Sequence, residues 1–407
     1  MSDLLGFITI SLVSIITFFI ALRWPGIKKI IFTALIVRLI VMLIGHYVLT
    51  LPDSSFDAEG FESQAWIYAQ DGFLNTLNHY PGYTSWFYPW MIAIPYSIFG
   101  RSILMAQSIG LLIGVLTVLL GWLLSKKIWD NNSATKVGWV LALFPSLVLY
   151  SVLPLREVYS NFFLVVAMIG VVNWAKFGGY KSIVLAMTGF IGATFFHGVL
   201  LIGGIFFLII LGLSNFKKMI ELIFIKRISV KVLVITTTSV IFLYLFFTNN
   251  IYIPYVGTFE QSINIGWLTS NIEFRMTGDA SYSEWTEINS GFEFFYKGIA
   301  RIIYLLFSPF PWDVKKPIHL IGLFDSLLYI IIIYLIFLNR KAIFKDPALR
   351  LIFLIVVSYL FVYGIGTSNF GAGLRHRSKF VIELIILAAP FIPKIVLFKK
   401  KRIKEFF

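Results

Sequence analysis

Long apolar runs separated by short polar breaks dominate the chain, and one longer polar stretch interrupts them near the start. The runs lie at residues 4–22, 30–51, 98–125, 136–155, 158–175, 182–196, 198–213, 229–248, 318–338, 349–366 and 380–398. A helix needs about 20 predominantly apolar residues to cross a bilayer. The pattern therefore predicts an all-α, polytopic membrane protein with about 11 transmembrane helices, one for each run, in a single transmembrane domain spanning 1–407.

Composition supports this class of protein and limits the kinds of molecule that we expect it to bind. Hydrophobic residues make up 58% of the 407-residue chain and charged residues only 13%. The net charge of +14 is divided among short basic clusters between apolar runs, which is typical of cytoplasmic loops rather than of a nucleic-acid surface. We therefore expect membrane lipids and no nucleic acid among the partners. Without cysteine, the chain has neither disulfides nor thiol chemistry.

The positions of the basic clusters predict the orientation of the helices. Placing all of them inside gives an outside N-terminus and a cytoplasmic C-terminus. These clusters are Arg23/Lys28/Lys29, Lys126/Lys127, Lys176/Lys181, Lys217/Lys218/Lys226/Arg227, Arg340/Lys341/Lys345 and Lys399 to Lys404. The large outer loops are then 52–97, which we expect to be catalytic, and 249–317, which carries an interfacial or re-entrant segment ending at its prolines.

The first outer loop is acidic and contains a candidate catalytic carboxylate. Asp57 stands just after the second run, and Phe61 and Ala65 follow at helical spacing on the same face. A carboxylate that is partly desolvated beside a bilayer can act as a general base. Glu59 and Glu62 lie on other faces of this helix and are assigned to substrate binding. The alternative is a solvated acidic loop without a catalytic role.

Basic residues are uncommon in outer loops, yet Arg375, His376, Arg377 and Lys379 fall in the loop before the last run. Arginines behind flexible glycines can hold a phosphate or pyrophosphate through charge-assisted, bidentate hydrogen bonds. The alternatives are that these residues bind lipid headgroups or that the orientation is inverted at this end of the chain.

Arg156 and Glu157 are predicted at the outer end of a span. Charges at that depth are costly unless they face protein or a water-filled cavity, so they are candidates for substrate binding. The alternative is a structural ion pair between two spans. Arg38, inside the second run, is given no role, and His197 is interpreted as a packing residue.

The order of these features resembles the GT-C superfamily of integral-membrane glycosyltransferases. The resemblance is carried by Asp57-x-x-x-Phe61-x-x-x-Ala65, Tyr80-Pro81-Gly82-Tyr83, Ile98-Phe99-Gly100-Arg101, Leu143-Phe144-Pro145-Ser146 and Leu155-Arg156-Glu157, with looser matches at Pro309 to Trp312 and Arg375 to Arg377. It implies a polyprenyl-phosphate-linked sugar donor, with Asp57 activating the acceptor and Arg156, Arg375 and Arg377 holding the donor phosphate. In the family the acid usually follows the first span, whereas here it follows the second.

These observations predict a glycosyltransferase, inverting in stereochemistry, at the outer face of a bacterial inner membrane. It transfers a sugar to a glycan or lipid acceptor during surface polysaccharide synthesis, without a cofactor or a metal site, although a divalent ion at Asp57 stays open. One alternative is an O-antigen or capsule repeat-unit polymerase, for which Arg375 and Arg377 matter more than Asp57. Another is a transporter or flippase of a lipid-linked or anionic substrate.

Overall fold

A computed structural model describes residues 2–224, 230–249, 251–252, 257–258, 260–261, 264–274, 276, 278–317 and 319–394. These residues fold into α-helices and short 3-10 turns, and they form no strand. The first helices are α1 (Ser2–Arg23), α2 (Lys28–Tyr47), α3 (Asp57–Gln70), α4 (Phe73–Asn78), α5 (Phe87–Phe99), α6 (Ile103–Ile128), α7 (Asn131–Leu143), α8 (Pro145–Val152), α9 (Glu157–Phe177) and α10 (Tyr180–Phe196). The others are α11 (Leu201–Phe224), α12 (Val230–Thr248), α13 (Ile265–Phe274), α14 (Glu293–Phe307), α15 (His319–Leu338), α16 (Arg340–Lys345), α17 (Pro347–Gly366), α18 (Phe370–Arg377) and α19 (Val381–Ala388).

The apolar helices confirm a polytopic helical membrane protein. Within the described residues, seven helices are long and apolar enough to cross a membrane, and the bent pair α7–α8 raises the number to eight. The three remaining predicted runs fall on shorter apolar segments at Tyr180–Phe196, Val232–Phe246 and Val381–Phe391. Every predicted run thus overlaps a helix, while the number of crossings and their direction stay predictions. The last basic cluster, Lys399 to Lys404, lies outside the described residues.

The first predicted outer loop is itself folded into three helices, α3 to α5. Helix α3 begins at Asp57 and buries Phe61 and Ala65, as their spacing predicts. Phe61 packs edge-on against two aromatic rings of this region, those of Trp86 and Tyr88. Tyr88 in turn packs against Tyr159 of α9, so these rings connect the start of α3, where Asp57 lies, to a transmembrane helix.

Helices α7 and α8 meet at an angle of 52°. Pro145 begins α8 and has no N–H, so it cannot donate a hydrogen bond to the carbonyl of Leu141 four residues earlier. Arg38 of α2 fills this gap, because its guanidinium donates to the carbonyl oxygens of Ala142 at 3.0 Å and Leu141 at 3.4 Å. Arg38, which the sequence leaves without a role, thus joins α2 to the break between α7 and α8.

In the second predicted outer loop, α14 has two different faces. Its inner face buries Arg301, which donates to the carbonyl oxygens of Thr367 at 2.6 Å and Ile365 at 3.1 Å. Its outer face exposes large apolar side chains at helical spacing, namely Phe292, Phe295, Tyr296, Ile299 and Ile303. An amphipathic helix of this kind suits the predicted interfacial segment.

Two of the predicted cytoplasmic clusters lie together at one end of the helices. Lys127 at the end of α6 donates to the Asn173 side chain at 2.9 Å, and Lys176 of α9 donates to the Lys127 carbonyl at 2.6 Å. Because α9 ends there, its first residue, Glu157, lies at the opposite end of the domain. The candidate site residues are found at that opposite end.

Candidate functional site

Asp57 and Glu157, a hundred residues apart in the sequence, are joined by one arginine. Arg375 of α18 donates from Nη1 to Asp57 Oδ2 at 2.5 Å, and from Nη2 and Nε to Glu157 Oε1 at 3.0 and 3.3 Å. Each carboxylate is the first residue of its helix, where the unpaired backbone N–H groups and the helix dipole favour a negative charge. We call Asp57, Arg156, Glu157, Arg375 and Lys379 the charged cluster.

Lys379 is the second cation next to Glu157, since its Nζ lies 3.6 Å from Oε1 of Glu157. The lysine is only 1% exposed. Burial lowers the pKa of Lys379 to about 7, in spite of the opposing charge of Glu157. Burial acts against the charge of Arg375 as well, but Glu157 and Asp57 outweigh it and raise the pKa of that guanidinium. Arg375 is therefore the permanent charge of this pair of cations.

Arg156 does not pair with Glu157 as the sequence suggests. Its guanidinium lies over the ring of Phe61, 5.4 Å from the ring centre, within range of a cation–π interaction. Its Nε is buried without a hydrogen-bond partner, and the described residues offer the side chain no ion pair. Burial lowers the pKa of Arg156. Arg156 is thus a cation of the site whose Nε has no hydrogen-bond acceptor among the described residues.

A small cavity of about 100 Å³ adjoins this arginine, and we call it the Arg156 cavity. Tyr83, from the Tyr-Pro-Gly-Tyr motif of the first outer loop, and His197 also line it. His197 is buried, and its Nδ1 lies 3.0 Å from the hydroxyl of Tyr363, in keeping with a packing role. The cavity therefore places the Tyr-Pro-Gly-Tyr motif next to Arg156, which belongs to a second motif of the GT-C resemblance.

The structure does not bring Arg377 to the charged cluster. Arg377 is fully buried and donates from Nη2 to Asp325 Oδ2 at 2.8 Å and from Nη1 to the Ser308 carbonyl at 2.7 Å. Residues two apart on a helix point to nearly opposite sides, so Arg375 and Arg377 cannot bind one phosphate together. His376 is also buried, with its Nδ1 2.9 Å from the Thr367 hydroxyl.

Glu62 and Glu59, which are assigned to substrate binding from the sequence, also lie outside the charged cluster. Glu62 is buried and forms an ion pair with Arg101 at 2.5 Å, and it accepts a hydrogen bond from the Tyr96 hydroxyl at 3.1 Å. It therefore connects α3 to the end of α5 and the start of α6 rather than facing the cluster. Glu59 is exposed on α3.

Asp53 and Tyr150 belong to the site but were not selected from the sequence. The Tyr150 hydroxyl donates to Asp53 Oδ2 at 2.8 Å, and both residues line a cavity of about 270 Å³, which we call the Asp53 cavity. The position of Asp53 directly after the second run is the same signal that singled out Asp57. Tyr150 lies inside an apolar run and gives no signal of its own.

No group of three or more histidine, aspartate or glutamate side chains is arranged to hold a metal ion within the part of the chain that the structure describes. Comparisons with known proteins give no match to a family model, a curated protein or a solved structure. The resemblance to GT-C enzymes thus stays a prediction from the motifs.

Proposed function

We propose that the protein transfers a sugar from a polyprenyl-phosphate-linked donor to a glycan or lipid acceptor at the outer face of a bacterial inner membrane. The observation that supports this most is the convergence of the charged cluster. Its five residues come from α3, the start of α9 and the segment around α18, and they meet at the end of the domain opposite Lys127 and Lys176. Charged groups at such a depth are expected to serve a substrate.

In the proposed reaction, each part of the cluster has a separate task. The acceptor hydroxyl gives up its proton to a carboxylate of the site, and its oxygen attacks the anomeric carbon while the bond from that carbon to the phosphate oxygen breaks, so the configuration inverts. The polyprenyl phosphate leaves with the bonding electron pair. Arg156, whose Nε has no partner among the described residues, stabilises the negative charge that develops on the phosphate. Asp57, held in place by Arg375, orients the acceptor hydroxyl.

Complementation of a strain that lacks this gene tests the proposal. Asp57→Asn keeps the shape of the side chain but removes the charge that orients the acceptor hydroxyl, and we expect the surface glycan to fall by about 100-fold on a gel. Asp71→Asn is the matched control, since Asp71 is an exposed carboxylate at the other end of the same helix, paired with His79. Both variants must be present in the membrane at wild-type amounts.

The pattern of the lost glycan distinguishes the alternatives. Loss of one discrete sugar supports the transferase, whereas loss of a ladder with single repeat units left on the lipid indicates a polymerase. Full glycan production by Asp57→Asn contradicts the proposed mechanism. Transport of a lipid-linked sugar by the purified Asp57→Asn protein, without sugar transfer by the wild type, favours the flippase.

A further inference from the structure

Asp53 is a second carboxylate beside the charged cluster. It lies in the connection between α2 and α3 with a backbone φ of 60°, a left-handed conformation that aspartate tolerates better than most residues. Tyr150 of α8 donates to one of its oxygens, Oδ2, at 2.8 Å. Among the described residues, Oδ1 receives no hydrogen bond, and the side chain lines the Asp53 cavity.

The walls of this cavity are mostly apolar and come from three helices. Leu149 of α8, Ile321 of α15 and Leu374 of α18 are among them. Leu374 precedes Arg375, so the cavity and the charged cluster share a segment of backbone. A substrate group that enters the cavity can therefore meet Asp53 next to the arginine that holds Asp57.

We propose that Asp53 is the catalytic base, accepting the proton of an acceptor hydroxyl that enters through the Asp53 cavity. This inference rests on the proposed glycosyl transfer. The acceptor O–H bond breaks and its proton goes to Asp53 Oδ1, while the acceptor oxygen forms its bond to the anomeric carbon. The phosphate departs with the electron pair of the broken glycosyl bond, so the proton and the charges balance.

The surroundings of the two carboxylates explain this division of tasks. Asp57 is in an ion pair with the charged Arg375, whereas Asp53 accepts its hydrogen bond from the neutral Tyr150 hydroxyl. Burial raises the pKa of Asp53, while Arg375 and the Tyr150 hydroxyl act to lower it. A carboxylate with a raised pKa binds a proton more strongly, which is what a general base needs.

Several other charges also act on Asp53 or line its cavity. Glu157 of α9 and Asp57 of α3 raise its pKa through their negative charges. Asp325 and His319 of α15 line the same cavity. The pH dependence of the reaction therefore depends on the ionisation of all these side chains. A substitution that removes only the hydrogen bond between Asp53 and Tyr150 is needed to show the contribution of Asp53.

Two isosteric substitutions in the complemented deletion strain test the inference. Asp53→Asn still accepts the hydrogen bond of Tyr150, so the fold is retained, and we expect glycan production to fall by about 100-fold or more. Tyr150→Phe removes the bond that stabilises the charged carboxylate. It should keep the activity at high pH but move the acid side of the rate profile upward by about one pH unit. The site is proposed to face the medium, so the external pH is the variable.

The outcomes separate this inference from the proposed function. Loss of glycan in Asp53→Asn, together with the upward shift in Tyr150→Phe, supports Asp53 as the base. Wild-type glycan production by Asp53→Asn, while Asp57→Asn is inactive, overturns the role of Asp53 and leaves the transferase standing. An unshifted profile in Tyr150→Phe also overturns it, because a structural role predicts no change there. If deletion of the gene itself leaves the surface glycans unchanged, the proposed function and the role of Asp53 are both wrong.

Discussion

Arg375 and Arg377 stand two residues apart on α18, yet their environments are opposite. Arg377 is completely buried, and its three nitrogens donate to Asp325, to the Ser326 hydroxyl and to backbone carbonyls such as that of Ser308. Arg375 keeps 16% of its side chain exposed and connects Asp57 with Glu157. One helix therefore carries one arginine that is enclosed by the fold and another that is presented at the surface of the site.

The comparison shows how to distinguish structural from functional charges in this domain. Arg377 has its full set of partners, so it offers nothing further to a ligand. Arg375 holds two carboxylates, of which Asp57 is 58% exposed and can meet a substrate. Arg156 has fewer partners still, because none of the described residues accepts a hydrogen bond from its buried Nε. Complete burial with paired donors thus marks Arg377 as structural, whereas an exposed partner at Arg375 and an unpaired donor beside the Arg156 cavity mark groups that can meet a substrate.

The largest effect is expected at Arg377. Arg377→Met leaves Asp325 as a buried, unpaired acid, which destabilises a protein by about 3–5 kcal/mol. We expect a lower unfolding temperature in detergent and less protein in the membrane. Adding Asp325→Leu removes the unpaired charge and should restore part of the loss. A single variant as stable as the wild type would contradict the structural role of Arg377.

At Arg156 we expect a substitution to reduce activity and to leave stability nearly unchanged, the reverse of Arg377. Arg156→Gln breaks no ion pair in the described part of the chain, so the unfolding temperature should stay close to that of the wild type. Removing one donor from a developing negative charge typically costs about 100-fold to 1000-fold in rate, and we expect the glycan to decrease accordingly. Arg340→Gln, an exposed arginine outside the site, is the control. If Arg156→Gln makes as much glycan as the wild type, Arg156 does not stabilise the donor phosphate and its proposed role is wrong.

The smallest effect is expected for Arg375→Lys. Lysine keeps the charge but cannot bridge two carboxylates in the way that a planar guanidinium does. Losing one charge-assisted hydrogen bond should reduce glycan production by about tenfold, with little change in the amount of protein in the membrane. If this variant instead unfolds as readily as Arg377→Met, Arg375 is structural and the comparison between the two arginines fails.

The sequence predicts the helices well because the bilayer requires long apolar runs, and it selects Asp57 as a candidate because this acid stands at the beginning of an outer loop, just after the second run. It does not predict the partners of the charges. Asp325 lies inside an apolar run, and only the three-dimensional packing of α15 against α18 shows that it neutralises Arg377. Likewise, Glu157 has Arg156 as its neighbour in sequence but Arg375 as its partner in space. These two contacts join residues that are 52 and 218 positions apart, and spacing along the chain carries no information about them.

The contact of Arg38 with the break at Pro145 has a consequence for biogenesis. An arginine at the centre of an isolated transmembrane helix costs about 2.5–3.5 kcal/mol on insertion, because its charge faces lipid. The carbonyl oxygens that receive the Arg38 side chain belong to residues synthesised about a hundred positions later. Helix α2 therefore reaches its final stability only after α7 has left the ribosome and packed beside it.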